Sequence, residues 1–231
     1  MALNFSISKG TRPGPQIVSP ARLRQISGNS MALAYTVPRT TRDLTAVSFK
    51  QQRSSGTIEF TFDSGTLGLS LHQDVYIAND LTPCEQMKWA VHEQHHVSDN
   101  RDVMDQMPTE IMNYNMCKSL FQRGDWYPSS DFAMIQRQIL EEIGNAFRDL
   151  TAQRVRALDT RAEYARVNRE ILRDCPGPII FTVYRGDTLS GIANFYYGNQ
   201  MQWKKIYDAN RAVIGRNPNH LRIGLRLTIP K

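Results

Sequence analysis

Residues 181–230 read FTVYRGDTLSGIANFYYGNQMQWKKIYDANRAVIGRNPNHLRIGLRLTIP. FTVYR has the apolar and β-branched alternation of a short strand, and Gly186 supplies the turn after it. Asp187 or Thr188 can cap a helix that turns Leu189, Ile192 and Ala193 inward, and Gly198 closes that helix. Trp203, Ile206 and Tyr207 give a second helical stripe, which stops at Asn210. LRLTIP is the returning strand. The spacing predicts a β-α-α-β module of about 50 residues that needs no disulfide.

Three motifs in this segment, YRGDTLSGIA, WKKIYDAN and LRIGLRLTIP, closely resemble those of the LysM domain, a small carbohydrate-binding module of peptidoglycan and chitin hydrolases. The family ends on proline-glycine-glutamine before its last strand, where this chain has Ile223-Gly224-Leu225. The resemblance implies a glycan groove between the loop after the first strand and the loop after the second helix. On this chain it implies Gly186, Asp187, Thr188, Leu189, Asn210, Arg211 and Ile214 as binding residues. The implied partner is peptidoglycan or another N-acetylglucosamine-containing glycan. Similar modules also serve as protein adaptors in phage tail baseplates and contractile injection systems.

Upstream, CPGP at 175–178 ends a helical region and opens a linker over 175–180. The run 132–173 holds a single glycine, Gly144, and predicts one long helix capped by Ser130 or Asp131. RGDWYPSSD at 123–131 is a turn region. Before it, Pro83 suits a first helical turn, and the helix behind it is expected to break or kink at Pro108.

That first helix carries Lys88-Trp-Ala-Val-His-Glu-Gln-His-His-Val-Ser-Asp-Asn100, with three of the chain's five histidines. His92 and His96 lie four apart, so both imidazoles stand on one helix face and can reach one tetrahedral zinc at about 2.0–2.1 Å. Glu93, one step round, points towards the open coordination position, where it can move a proton. His95 lies off that face. The H-E-x-x-H pattern resembles the active-site helix of zincin metallopeptidases, and the resemblance implies bound Zn2+, with Glu93 as the catalytic general base.

A third ligand is required, and the sequence offers several. Asp102 holds the third-ligand position of the metzincin-type pattern, but Asp99 stands where that pattern needs glycine. Asp99 better suits a carboxylate that supports a ligand. Antiparallel packing of the helices around 84–107 and 132–173, with a symmetry centre near 129–130, sets Cys84 opposite Cys175 and His96 opposite Glu163. Glu163 is then the expected third ligand, as in gluzincins, with Asp159 one turn before it as a supporting group. The same register allows a Cys84–Cys175 bridge, expected if the protein works outside the cytosol. Cys84, Cys117 and Cys175 are an odd set that a cytosolic protein keeps reduced.

Towards the N-terminus, ALAYTV, TAVSF, TIEFTF and LGLSLHQDVYIA alternate in the manner of strands. The turns are placed at Pro38, Ser54-Ser55-Gly56 and Asp63-Ser64-Gly65, and a small antiparallel sheet is expected. Residues 1–30, rich in Gly, Pro, Ser and Arg, read as an extended basic arm. The expected organisation is α+β: an arm (1–30), a sheet followed by a helical zincin-like domain (31–174), a linker (175–180) and the LysM module (181–231).

The net charge of +6 divides into +7 for residues 1–56, −7 for 57–180 and +6 for 181–231. The basic ends suit an anionic glycan or an acidic protein partner. Neither carries the motif of a known nucleic-acid fold, so nucleic acid is not an expected partner. No apolar run reaches the roughly 18–20 residues of a membrane span, and MALNFSISKGTRPGPQ lacks the pattern of a Sec signal peptide. The expectation is synthesis in the cytoplasm and action at the cell envelope or within a phage or injection particle, with the arm resting on other subunits. Two functions fit: a zinc metallopeptidase-like hydrolase carried to the cell wall by its LysM module, or a non-catalytic LysM component of a phage tail, baseplate or injection system.

Overall fold

The structure is a computed structural model that describes residues 2–29 and 31–231. Its contacts fall into two compact units, one of Met1–Pro13, Val37–Gln73 and Val97–Val155, the other of Gly14–Thr36, Asp74–His96 and Arg156–Lys231. The expected boundaries at 30, 174 and 180 are therefore not those of the compact units. The LysM segment shares a unit with the HExxH stretch because both contact the helix over 161–174.

In the first unit, β3 (Ala34–Ser54) and β4 (Thr57–Ala78) form a long hairpin. Ser55 and Gly56 both have positive φ, 48° and 85°, the conformation of a two-residue hairpin turn. The strands run unbroken through Pro38 and Asp63-Ser64-Gly65, so of the expected turns only the one at 54–56 exists. β1 (Ala2–Ser8) pairs parallel with β4 from Ala2↔Ser64 to Ser8↔Ser70, and β5 (Tyr127–Pro128) pairs antiparallel with Glu59 and Phe60.

This corrects two expectations. The sheet is mixed rather than antiparallel, and the N-terminal segment is a sheet edge rather than an arm. The physical reason is the alternation Leu3, Phe5, Ile7, which packs one face of β1 against the core. Arg101 then donates to the carbonyls of Lys9 and Gly10, both at 2.7 Å.

The core of this unit lies under β4. Phe60, Phe62, Leu67, Leu69 and Leu71 meet Val103, Met104 and Met107 of α2 (Pro83–Glu110) and Ile135, Ile139, Ile143 and Phe147 of α4 (Phe132–Leu158). The α4 positions recur at intervals of four, a helical stripe. Pro108 lies in the last turn of α2, which continues to Glu110. Between α2 and α4 sits the single-turn α3 (Asn115–Lys118). The Glu142 carboxylate accepts from the backbone N–H groups of Met116 and Cys117 at 3.0 Å, satisfying donors that a helix start leaves open.

In the second unit, β2 (Pro15–Val18) runs parallel to the end of β4, from Pro15↔Val75 to Val18↔Ala78. Helix α1 (Pro20–Ser27) follows, with Ser19 as N-cap and Leu23 wholly buried. A capping box starts α2: Thr82 N–H donates to Glu85 Oε2 at 2.9 Å, and Glu85 N–H donates to Thr82 Oγ1 at 3.3 Å.

The expected single helix over 132–173 is in fact two, α4 and α5 (Arg161–Asp174), because Thr160 caps the second by accepting from Glu163 N–H at 3.1 Å. Along α2 and α5 the antiparallel order is Cys84 with Cys175, Lys88 with Asp174, then His92 with Glu163. Cys84 and Cys175 form a disulfide that joins positions 91 residues apart.

The LysM segment has β6 (Ile179–Thr182) paired antiparallel with β7 (Arg226–Ile229), and between them α6 (Leu189–Tyr197), α7 (Trp203–Ala209) and α8 (Arg211–Ile214). Ile179, Phe181, Ile192, Ala193, Tyr196, Ile206, Leu227 and Ile229 fill its core. Among the described residues no helix is long and apolar enough to cross a membrane.

Candidate metal centre and glycan groove

The four-residue spacing on α2 brings the His92 and His96 rings to one buried face, with centroids 5.0 Å apart. Asp159, in the break between α4 and α5, reaches both: its Oδ1 lies 2.9 Å from His96 Nε2 and 3.3 Å from His92 Nε2. Donor atoms of the three side chains lie within 4.8 Å of one another. Ligands about 2.0–2.1 Å from a tetrahedral zinc stand about 3.3–3.4 Å from each other, so these atoms are nearly spaced for the ion.

The imidazole protons point the same way. His92 Nδ1, a buried atom without a hydrogen-bond partner, faces Glu163 Oε1 at 3.5 Å. A neutral imidazole has one N–H and cannot serve a carboxylate at each nitrogen. A cation at the Nε2 side would leave the proton on Nδ1, directed at Glu163.

Glu163 is thus not the third member of the cluster; Asp159 is. The expected register assumed one continuous helix, and the break at 159–160 brings Asp159 forward instead. Glu163 is also engaged elsewhere: Arg166 donates to its two oxygens at 2.6 and 2.8 Å, and these bonds hold its carboxyl below the ordinary range. It stands behind His92 as an orienting carboxylate. The sequence did contain a signal for this, since Thr160-Arg-Ala-Glu163 fits the S/T-x-x-E pattern of a helix start. Asp99 and Asp102 lie outside the cluster, Asp102 exposed, and His95 is exposed too.

Glu93 is buried, and Thr36 of β3 donates to its Oε2 at 2.7 Å. Burial pushes its carboxyl up, against the opposing pull of His96, Thr36 and His92. Burial also works to raise Asp159, but bonds from His92, His96 and the Tyr164 hydroxyl outweigh it and hold that carboxyl well below its usual range. Two carboxyl groups of one site are thereby driven apart, one towards holding a proton and one towards charge.

Aromatic rings line the other side of His92. Trp89 meets its ring edge-on at 5.7 Å, and Tyr164 lies at 5.7 Å. Phe195 of α6 stacks on Trp89 at 6.0 Å with the planes 9° apart, and lies 6.1 Å from Tyr164.

The second site is a groove of about 380 Å³ in the LysM segment, lined by Asp187, Thr188, Leu189, Ser190, Trp203, Pro218, Asn219 and Leu221. Thr188 is the N-cap of α6, accepting from Gly191 N–H at 3.0 Å, while Asp187 accepts from Tyr184 N–H at 2.7 Å and shapes the turn. Gly186 makes that turn at φ 91°. Hydroxyl, carboxyl and amide groups on apolar walls suit a sugar, whose ring faces are apolar and whose rim is polar.

Four expected groove residues, Gly186, Asn210, Arg211 and Ile214, do not line it. Asn210 is buried and committed to structure: its amide donates to Ile206 O at 2.8 Å and Thr228 O at 2.7 Å, and its oxygen accepts from Thr228 N–H at 2.8 Å. Ile214 is part of the buried core, and Arg211 is exposed at the start of α8. Trp203, Pro218, Asn219 and Leu221 take their places, three of them from the turn NPNHL. Gly224, at φ 84°, donates to Val183 O at 2.8 Å, so Ile223-Gly224-Leu225 still makes the turn into β7.

An uncharacterised protein of Deinococcus radiodurans is 44% identical over 54 residues, a match covering 23% of this chain and 20% of that protein. The match thus spans about a fifth of that relative's length. No solved structure matches the chain. The family model that matches is the LysM domain, over residues 181–230. Residues 181–230 are a LysM domain, one of a family of modules that bind peptidoglycan and other N-acetylglucosamine glycans.

Proposed function

We propose that the protein is a zinc-dependent amide hydrolase that acts on the peptidoglycan its LysM domain binds. The observation that carries this reading is the convergence of His92 Nε2, His96 Nε2 and Asp159 Oδ1 beside a buried Glu93. Zinc, when bound, supplies a Lewis acid that polarises a carbonyl and acidifies water.

The chain's own groups do the rest. Glu93 takes a proton from the attacking water as oxygen adds to the amide carbon, then gives it to the departing nitrogen as the C–N bond breaks. Thr36 fixes the orientation of the carboxylate. Asp159, kept charged, faces both imidazoles at Nε2, and Glu163, held by Arg166, faces His92 from the opposite side at Nδ1. The disulfide supports action in an oxidising setting.

The alternative, a non-catalytic LysM component of a phage tail, baseplate or injection particle, drew in part on a free basic arm. Pairing of β1 and β2 with β4 removes that support.

Zinc content of the purified protein by plasma mass spectrometry, with Asp159→Ala as control, tests the centre. Loss of soluble-peptide release from peptidoglycan in Glu93→Gln, with zinc retained, tests the chemistry. Absence of zinc after metal-supplemented expression would overturn the reading.

A further inference from the structure

We infer that the LysM domain is the inner wall of the metal centre, and that Phe195 is a positioning residue for His92. The inference rests on the metal-centre reading above.

A ligating imidazole must be held in tilt and rotation as well as by its protons. Carboxylates face both polar edges of His92: Asp159 Oδ1 at 3.3 Å from Nε2 and Glu163 Oε1 at 3.5 Å from Nδ1. The rest of the ring leans on Trp89, edge-on, and on Tyr164. Both of these rings in turn touch Phe195, Trp89 as a near-parallel stack and Tyr164 at a tilt of 41°.

Phe195 is itself fixed from below. Asn168 of α5, wholly buried, donates to its carbonyl at 2.8 Å. The neighbouring Tyr196 ring meets it edge-on at 5.2 Å. The nine-residue α6 that carries Phe195 near its end starts with Leu189 and Ser190 of the glycan groove, capped by Thr188.

The chain is also closed around this contact. The Cys84–Cys175 bridge joins α2 to the residue just ahead of β6, and Lys231 Nζ donates to the Cys175 carbonyl. A module attached only for targeting needs none of these contacts. One that completes the wall behind a ligand needs the Phe195 stack on Trp89 and Tyr164 held in place.

The test is zinc affinity by competition with a chromophoric chelator, together with the visible spectrum of the cobalt-loaded protein, for Phe195→Ala, Phe195→Leu and Phe195→Tyr. The expected result is a loss of about tenfold or more in zinc affinity for the alanine variant, in the range for residues that orient metal ligands, with a shifted cobalt spectrum. The tyrosine variant, which keeps the stack on Trp89, is expected to stay near wild type. The leucine variant keeps apolar volume, serves if alanine does not fold, and should fall between them. Unchanged binding of chitooligosaccharide by the variants shows that the LysM fold is intact. Wild-type zinc affinity in all three variants would overturn the inference and leave the hydrolase reading standing. No zinc in the unmodified protein would overturn that reading, and the inference with it.

Discussion

Thr36 and Glu93, 57 positions apart, share a buried hydrogen bond of 2.7 Å from hydroxyl to carboxylate. The strand residue thereby sets the rotamer of the helix carboxylate. Thr36→Val keeps the shape and removes the donor. The expected cost is about 1–3 kcal/mol of stability, the penalty for a buried polar group left unpaired, measured by urea unfolding of metal-free protein. Thr36→Ser should recover most of it, and a valine variant as stable as wild type would contradict this role.

Asp159 and Glu163 should separate cleanly in metal binding. Asp159→Ala removes one of three converging donors and is expected to abolish stoichiometric zinc. Glu163→Gln leaves the donors in place and weakens only the hold on His92, so one zinc per chain should remain with affinity lowered about 10–100-fold. Calorimetric titration with zinc distinguishes them, and the reverse ranking would restore Glu163 as a ligand.

Gly10 has φ 59°, and a Cβ there would stand 2.3 Å from the backbone oxygen of Leu71. Gly28 also has positive φ, 69°, but meets nothing within 4 Å. Gly10→Ala carries the left-handed penalty plus a backbone collision, so it is expected to cost about 2–4 kcal/mol, against about 1–2 kcal/mol for Gly28→Ala. Equal losses in chemical denaturation would show that β1 shifts freely.

Within the LysM domain, Asn210 and Asn219 should behave oppositely. Asn210→Ala deletes three buried hydrogen bonds and is expected to lower stability by about 2–4 kcal/mol. Asn219→Ala, at an exposed groove position, should leave stability unchanged and weaken chitooligosaccharide binding about fivefold through a lost hydrogen bond. Thermal melts beside glycan titrations read both.

Much of this fold could be read from local chemistry. Ser54-Ser55-Gly56 announced the hairpin turn, Pro83 the start of α2, and the glycine punctuation the LysM plan. The i,i+4 spacing placed His92 beside His96, and antiparallel counting placed Cys84 beside Cys175. What escaped was long-range or conditional. Nothing near Ala2–Ser8 says that it pairs with residues 64–70, because parallel pairing follows from the whole chain path. The third donor escaped because counting along α4 and α5 as one rod misplaces everything after a break. Asn210 sits at the end of α7 yet faces inward, and side-chain direction at a helix end depends on the strand that arrives 18 residues later.

The thiol count follows from the bridge and from Cys117, which is buried and whose thiol is pushed up by burial and by Glu142. The native protein should show no reactive thiol to a chromogenic disulfide reagent. Unfolding without reductant should expose one, and unfolding with reduction three. A reactive thiol in the folded, unreduced protein would contradict the bridge or the burial.

The Cys84–Cys175 link makes a covalent ring of everything between those positions, including His92, Glu93, His96 and Asp159. A protease that nicks any single peptide bond in that ring releases no fragment. The sugar-binding end therefore stays chained to the histidine helix after clipping, and only a reducing agent parts the two pieces on a gel.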